Sequence, residues 1–123
     1  MESGPVTRLS EVATEQYDWG ALKWLMSQRL NEDAQQTFGI ATINPGSQNP
    51  PHYHPNCEEL LHVLSGQCEH AVGEEVFRME AGDTIRVPKG VVHNAVNTGR
   101  EPLRAIISFS DGDRQTVFLD SET

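Results

Sequence analysis

From Gly46 onward the chain is cut into short apolar runs by turn signals that recur too closely for helices. EELLHVL, QCEHAV, VFRM, TIRV, VVHNAVN and LRAIISF are separated by Ser65-Gly66, Gly73-Glu74-Glu75, Gly82-Asp83, Pro88-Lys89-Gly90 and Thr98-Gly99-Arg100. Runs of four to seven residues suit strands, and turn residues every eight to twelve positions predict an all-β antiparallel sandwich or barrel. Ten Gly and seven Pro in 123 residues reinforce this and argue against an all-helical bundle.

Upstream, Trp19 to Met26 reads as a strand, because Gly20 and the short length outweigh a helical grouping of Trp19, Leu22 and Met26. Gln28 to Gln36 reads as a polar loop, and Phe38 to Ile43 as a strand stopped by Asn44-Pro45-Gly46. Residues 1–16 read as an irregular arm with a short strand around Val6 to Leu9, and a polar tail begins at Ser110. The length suits one domain, placed at 17–123. A formal net charge of -9 opposes binding to nucleic acid or to anionic membrane surfaces. No apolar run reaches membrane-spanning length, and Met1-Glu2-Ser3-Gly4-Pro5 lacks the basic and apolar character of a secretory signal, so a cytoplasmic location is expected. Cys57 and Cys68 lack a CxxC partner and are expected as buried thiols.

The chemistry-bearing cluster begins at Pro51-His52-Tyr53-His54-Pro55, followed by Glu58 and Glu59. In a strand, positions i and i+2 point the same way, so two imidazoles share one face and a nearby carboxylate can complete a metal site. The wider spacing is Gly46-x5-His52-x-His54-x4-Glu59-x6-Gly66, then Gly82-x5-Pro88-x-Gly90-x2-His93-x3-Asn97. With these two motifs, at 46–66 and 82–97, the sequence resembles the cupin superfamily, and the short gap between them is similar to that of small bacterial cupins.

The resemblance implies a six- to eight-stranded jelly-roll barrel, the double-stranded β-helix. It further implies one divalent transition metal held by His52, His54, Glu59 and His93. The spacing to Gly66 selects Glu59 over Glu58, which then lies outside the barrel or caps its entry. Three imidazoles and a carboxylate suit Fe, Mn, Ni, Zn or Cu alike. The motif glycines are expected at positive φ or at close approaches.

A two-residue Ser65-Gly66 turn would set Leu64 opposite Gln67, Val63 opposite Cys68, Leu61 opposite His70 and Cys57 opposite Glu74. Cys68 and His70 would then line the cavity, whereas another turn length would put them outside. Asn97 is expected as an inward structural hydrogen bonder, His62 at the surface, and Tyr53 pointing away from the ion. Trp24, Phe38, Phe77, Met79, Ile106 and Phe109 are expected in sheet packing or a dimer face. One of the arginines could serve an anionic substrate, but the sequence does not say which.

The expected function is a metal-dependent enzyme with an open metal position for a small carbonyl, enol or hydroxy-acid substrate and oxygenase-like or isomerase-like chemistry. His70 and Glu58 are its acid/base candidates. The alternative is a non-catalytic cupin for metal-assisted binding or sensing of a small ligand, and a weaker third is a structural protein using the arm. The resemblance also implies a homodimer, with the arm and residues 19–26 as exchanged elements.

Overall fold

A computed structural model describes residues 4–119. After one 3-10 turn at Leu9–Glu11 come eleven strands: β1 Glu15–Tyr17, β2 Gly20–Met26, β3 Thr37–Ile43, β4 His52–Tyr53, β5 Glu59–Ser65, β6 Gln67–Val72, β7 Glu75–Glu80, β8 Thr84–Val87, β9 His93–Val96, β10 Leu103–Phe109 and β11 Val117–Phe118. They form two antiparallel sheets, ordered β1-β2-β3-β10-β5-β8 and β11-β4-β9-β6-β7, in the jelly-roll arrangement.

Alternation sets the sandwich. In β3, β5 and β10 every second residue is buried, so Ala41, Ile43, Leu61, Val63, Leu103, Ala105, Ile107 and Phe109 share the inner face. The second sheet answers with Cys68, Met79 and Ala95, and Trp24 packs against the same core. Phe38, Leu60 and Leu64 point outward from the first sheet.

The strand reading changes in several places. No strand forms at Val6 to Leu9, where polar neighbours leave the arm without an alternating face. The 16/17 boundary falls inside β1, which pairs with β2 and ties the arm to the sheet. The Ser65-Gly66 hairpin is also incorrect: β5 pairs with β10 and β8, while β6 pairs with β7 and β9. Gly66 is therefore a crossing between sheets. Val72 faces Glu75, and Cys57 lies in the loop before β5. Cys68 and His70 still point inward, because the alternation of β6 faces the other sheet's inner side.

The motif glycines Gly46, Gly66, Gly82 and Gly90 all have positive φ. Gly66 is the most constrained: at φ 87°, an added Cβ would lie 2.8 Å from the Pro102 carbonyl oxygen. At Gly73, φ is 61° and the nearest atom to such a Cβ is 3.8 Å away. Gly66→Ala is expected to lose about 1–3 kcal/mol of stability by urea unfolding, and Gly73→Ala visibly less.

Candidate metal centre

Both sheets contribute to one cluster at the same end of the barrel. His52 on β4 stands directly opposite His93 on β9, while Glu59 opens β5 across the sandwich and His54 follows β4. One ligand-type atom from each of these four side chains lies within 4.8 Å of the others. All four are buried, with Glu59 only 5 % exposed.

The second ring nitrogens explain why the imidazoles converge. His52 Nδ1 donates to the Pro50 carbonyl at 2.8 Å, His93 Nδ1 to Val91 at 2.9 Å, and His54 Nδ1 to Gln115 at 3.0 Å. A carbonyl can only accept, so each Nδ1 carries a proton and each Nε2 is left to face inward. This is the orientation that outer-shell carbonyls impose on metal-binding histidines. His93 Nε2 is 2.9 Å from Glu59 Oε1. His54 Nε2 is 3.4 Å from the same oxygen and, among the described residues, has no hydrogen-bond partner. A buried, unpartnered nitrogen beside a buried carboxylate fits an ion between them.

The electrostatics follow from burial and mutual contact. Burial would raise the Glu59 carboxyl, but His54 and His93 outweigh it and hold it well below the usual carboxylate range. Burial alone would lower His93, yet the adjacent Glu59 raises it. His52 is pushed down to about 4 by burial and then by His93.

The other candidates separate clearly. His70 is 1 % exposed, lies parallel to His93 with ring centroids 6.0 Å apart and, among the described residues, has no hydrogen-bond partner for its Nδ1. Burial lowers it to about 4, so it is neutral at physiological pH. The Glu58 carboxylate accepts from Arg86 Nε at 2.8 Å on the outer surface. Strand parity is the reason, since Glu58 and Glu59 cannot face the same side. Asn97 donates to the carbonyls of Ile43 and Glu101 and accepts from Gly99 N–H, joining three segments. His62 contacts Thr84 Oγ1 on the outer side, and Cys57 and Cys68 are buried free thiols.

Sequence reasoning missed the 114–118 segment. It supplies the Gln115 carbonyl to His54, places Thr116 Oγ1 3.2 Å from the same Nδ1, and brings Phe118 opposite His52 in β11. Backbone carbonyls have no side-chain signature, so only the fold reveals this role. Pro50 and Val91 had a weak local signal, each two residues before a motif histidine.

A family model described as "Cupin domain" matches residues 39–109, more than half of the chain. The chain belongs to the cupins. It is 32% identical over 115 residues to a germin-like protein subfamily 3 member 2 of Arabidopsis thaliana, covering 77% of this chain and 51% of that protein. It is 27% identical over 105 residues to the polyketide synthase CurC of Streptomyces cyaneus, covering 85% and 68% respectively. A solved oxalate decarboxylase of Bacillus subtilis, 27% identical, superposes with a TM-score of 0.83 over 91% of this cupin and 31% of that chain. That decarboxylase is described with Mn(II) centers. This cupin thus spans about half the length of the germin-like relative and a third of the decarboxylase.

The shifted imidazoles generate a pH dependence. Unfolded histidine titrates near about 6.5, whereas folded His52 and His70 titrate at about 4. As pH falls through that window the unfolded chain takes up protons that the folded chain refuses, so metal-free protein loses stability. His93 acts oppositely: its contribution is full below the unfolded value and is lost as pH rises through its raised one. Glu59's contribution holds above the ordinary carboxyl range and is lost only in stronger acid. Urea unfolding of chelator-treated protein between about pH 4 and 6.5 is expected to show this acid limb, and His70→Gln to reduce its slope by about one proton.

Proposed function

We propose that this cupin binds one divalent transition metal on His52, His54, Glu59 and His93 and acts on a small carbonyl, enol or hydroxy-acid molecule. The observation that carries the reading is the trio of carbonyl-anchored Nδ1 atoms, which directs three Nε2 atoms toward one buried carboxylate. The oxalate decarboxylase likeness and its Mn(II) centers favour Mn among the metals that such a donor set accepts. A bound ion would supply Lewis acidity toward a substrate oxygen.

The chain's own residues do the rest. The three histidines keep fixed orientations through hydrogen bonds to backbone carbonyls, so little reorganisation accompanies the reaction. His70, buried, neutral and with an Nδ1 unpartnered among the described residues, is the acid/base candidate that accepts and returns a substrate proton. Phe109 packs edge-on against His54 and excludes water from that side. Oxygenase-like and isomerase-like chemistry both need such a site. A non-catalytic binding or sensing role is the second reading, favoured because Glu58 is tied to Arg86 and His70 is left as the acid/base candidate beside the cluster.

The proposal includes a homodimer and a cytoplasmic location. Among the described residues, the arm's β1 and strand β2 pair within their own chain. Support for a dimer comes instead from the outer face of the larger sheet, where Ile106 lies beside Ile40, and Phe38, Leu60 and Leu64 are exposed. The two free thiols suit a reducing compartment. No helix among the described residues is long and apolar enough to cross a membrane.

Metal analysis of protein purified without added metal is expected to show near-stoichiometric metal in the wild type and in Glu58→Ala, with loss in His54→Ala and Glu59→Ala. Equal occupancy in all four proteins would remove the proposed site. A catalytic site predicts that His70→Gln keeps its metal but loses turnover by about a hundredfold or more, whereas a purely binding site predicts no turnover in either protein. Light scattering at micromolar concentration is expected to give a dimer mass, and Ile106→Glu a monomer.

A further inference from the structure

A cavity of about 480 Å³ lies beneath the arm, away from the four clustered side chains. Val6 and Val12 of the arm, Trp24 of β2, Leu30 of the following loop and Arg114 are among its walls. That volume falls within the range of small-molecule sites, and the walls mix apolar side chains with charged ones of both signs, Arg8, Arg29 and Arg114 against Glu11, Glu15 and Asp113.

Arg114 is unusual within this wall. Its guanidinium sits over the Trp24 ring at 4.3 Å and 5.3 Å from the Phe109 ring centroid. Cation–π contact offsets part of the cost of removing a charge from water. Glu59 and Glu15 act on it through space, but neither forms a close ion pair with it. Among the described residues, no acidic oxygen lies within ion-pair distance of Arg114, and its hydrogen bond goes to Thr116 Oγ1 at 3.0 Å. Glu15, an acidic residue of β1 in this wall, already accepts from Trp24 Nε1 and Tyr17 Oη. Burial lowers the Arg114 pKa, as expected for a cation short of water, and the nearby Glu59 and Glu15 counter this only in part. In a chain with a net charge of -9, a half-buried cation with spare donors is a local exception.

We infer that the cavity under the arm binds a small organic carboxylate, with Arg114 taking the carboxylate and Trp24, Val6, Val12 and Leu30 enclosing the organic body. A guanidinium presents five donors in a planar fork that fits a carboxylate edge-on while its face stays on an aromatic ring. None of the four clustered side chains lines this cavity, although Arg114 lies within the field of Glu59 and Phe109 packs on both Arg114 and His54. The carboxylate is held by Arg114 and not by a metal ion, so its binding is expected without metal.

Calorimetric titration of the full chain with benzoate and isobutyrate, with and without chelator, tests this inference, using benzamide as the uncharged control. Saturable binding of at least one carboxylate is expected with and without metal, and much weaker binding of benzamide. Arg114→Gln should weaken it about ten- to a hundredfold, Arg114→Lys less, and Val12→Phe should weaken it by filling the cavity while leaving the charge. Metal content should be unchanged in Val12→Phe, so failure here is distinguishable from failure of the metal reading. No saturable carboxylate binding by wild type, or equal affinity in wild type and Arg114→Gln with both folded by circular dichroism, would overturn the inference.

Discussion

Glu59 belongs to one sheet and the imidazoles that compensate its charge belong to the other or to the segment after it, so the two sheets must close before that carboxylate can be buried. A lone carboxylate in an apolar interior would be driven to its neutral form, and here the opposing histidines hold it charged. The core strands align this contact. Leu61 and Val63 follow Glu59 on the same inner face of β5, and Phe109 of β10 lies beside it in register. Packing of the hydrophobic rows and placement of the polar cluster are consequences of the same strand parity.

That parity also separates neighbours in sequence. Glu58 and Glu59 are chemically equivalent, yet one is buried among histidines and the other pairs with Arg86 outside. His62 and His70 diverge similarly, the first on an outer surface and the second stacked on His93. Each outcome follows from which side of a pleated strand the residue occupies. Composition alone could not have sorted them.

The strands from β5 to β10 were legible because their apolar alternation and their turn glycines agree with one another, residue by residue. TIRV and LRAIISF coincide with β8 and β10 from first to last residue. The four clustered side chains were legible through motif spacing. Less visible were β1 and β11, whose short polar sequences form strands only because an edge of an existing sheet supplies their hydrogen-bond partners. Sheet membership at Gly66 was misread for a related reason: a two-residue turn signal describes a change of direction, and it does not say whether the chain returns beside the same strand.

By itself, then, the sequence determined the core strands from β5 to β10, their inward parity and the set of residues suited to hold an ion, all of which depend on spacing along the chain. Tertiary structure alone decided which sheet each strand joined, which carbonyls anchor the imidazoles, and that Arg114 comes to rest on Trp24 beneath the arm. The physical reason is range. Parity and turn conformation are settled within a few residues, whereas the Gln115 carbonyl reaches His54 across 61 positions, a contact that exists only after the core has closed.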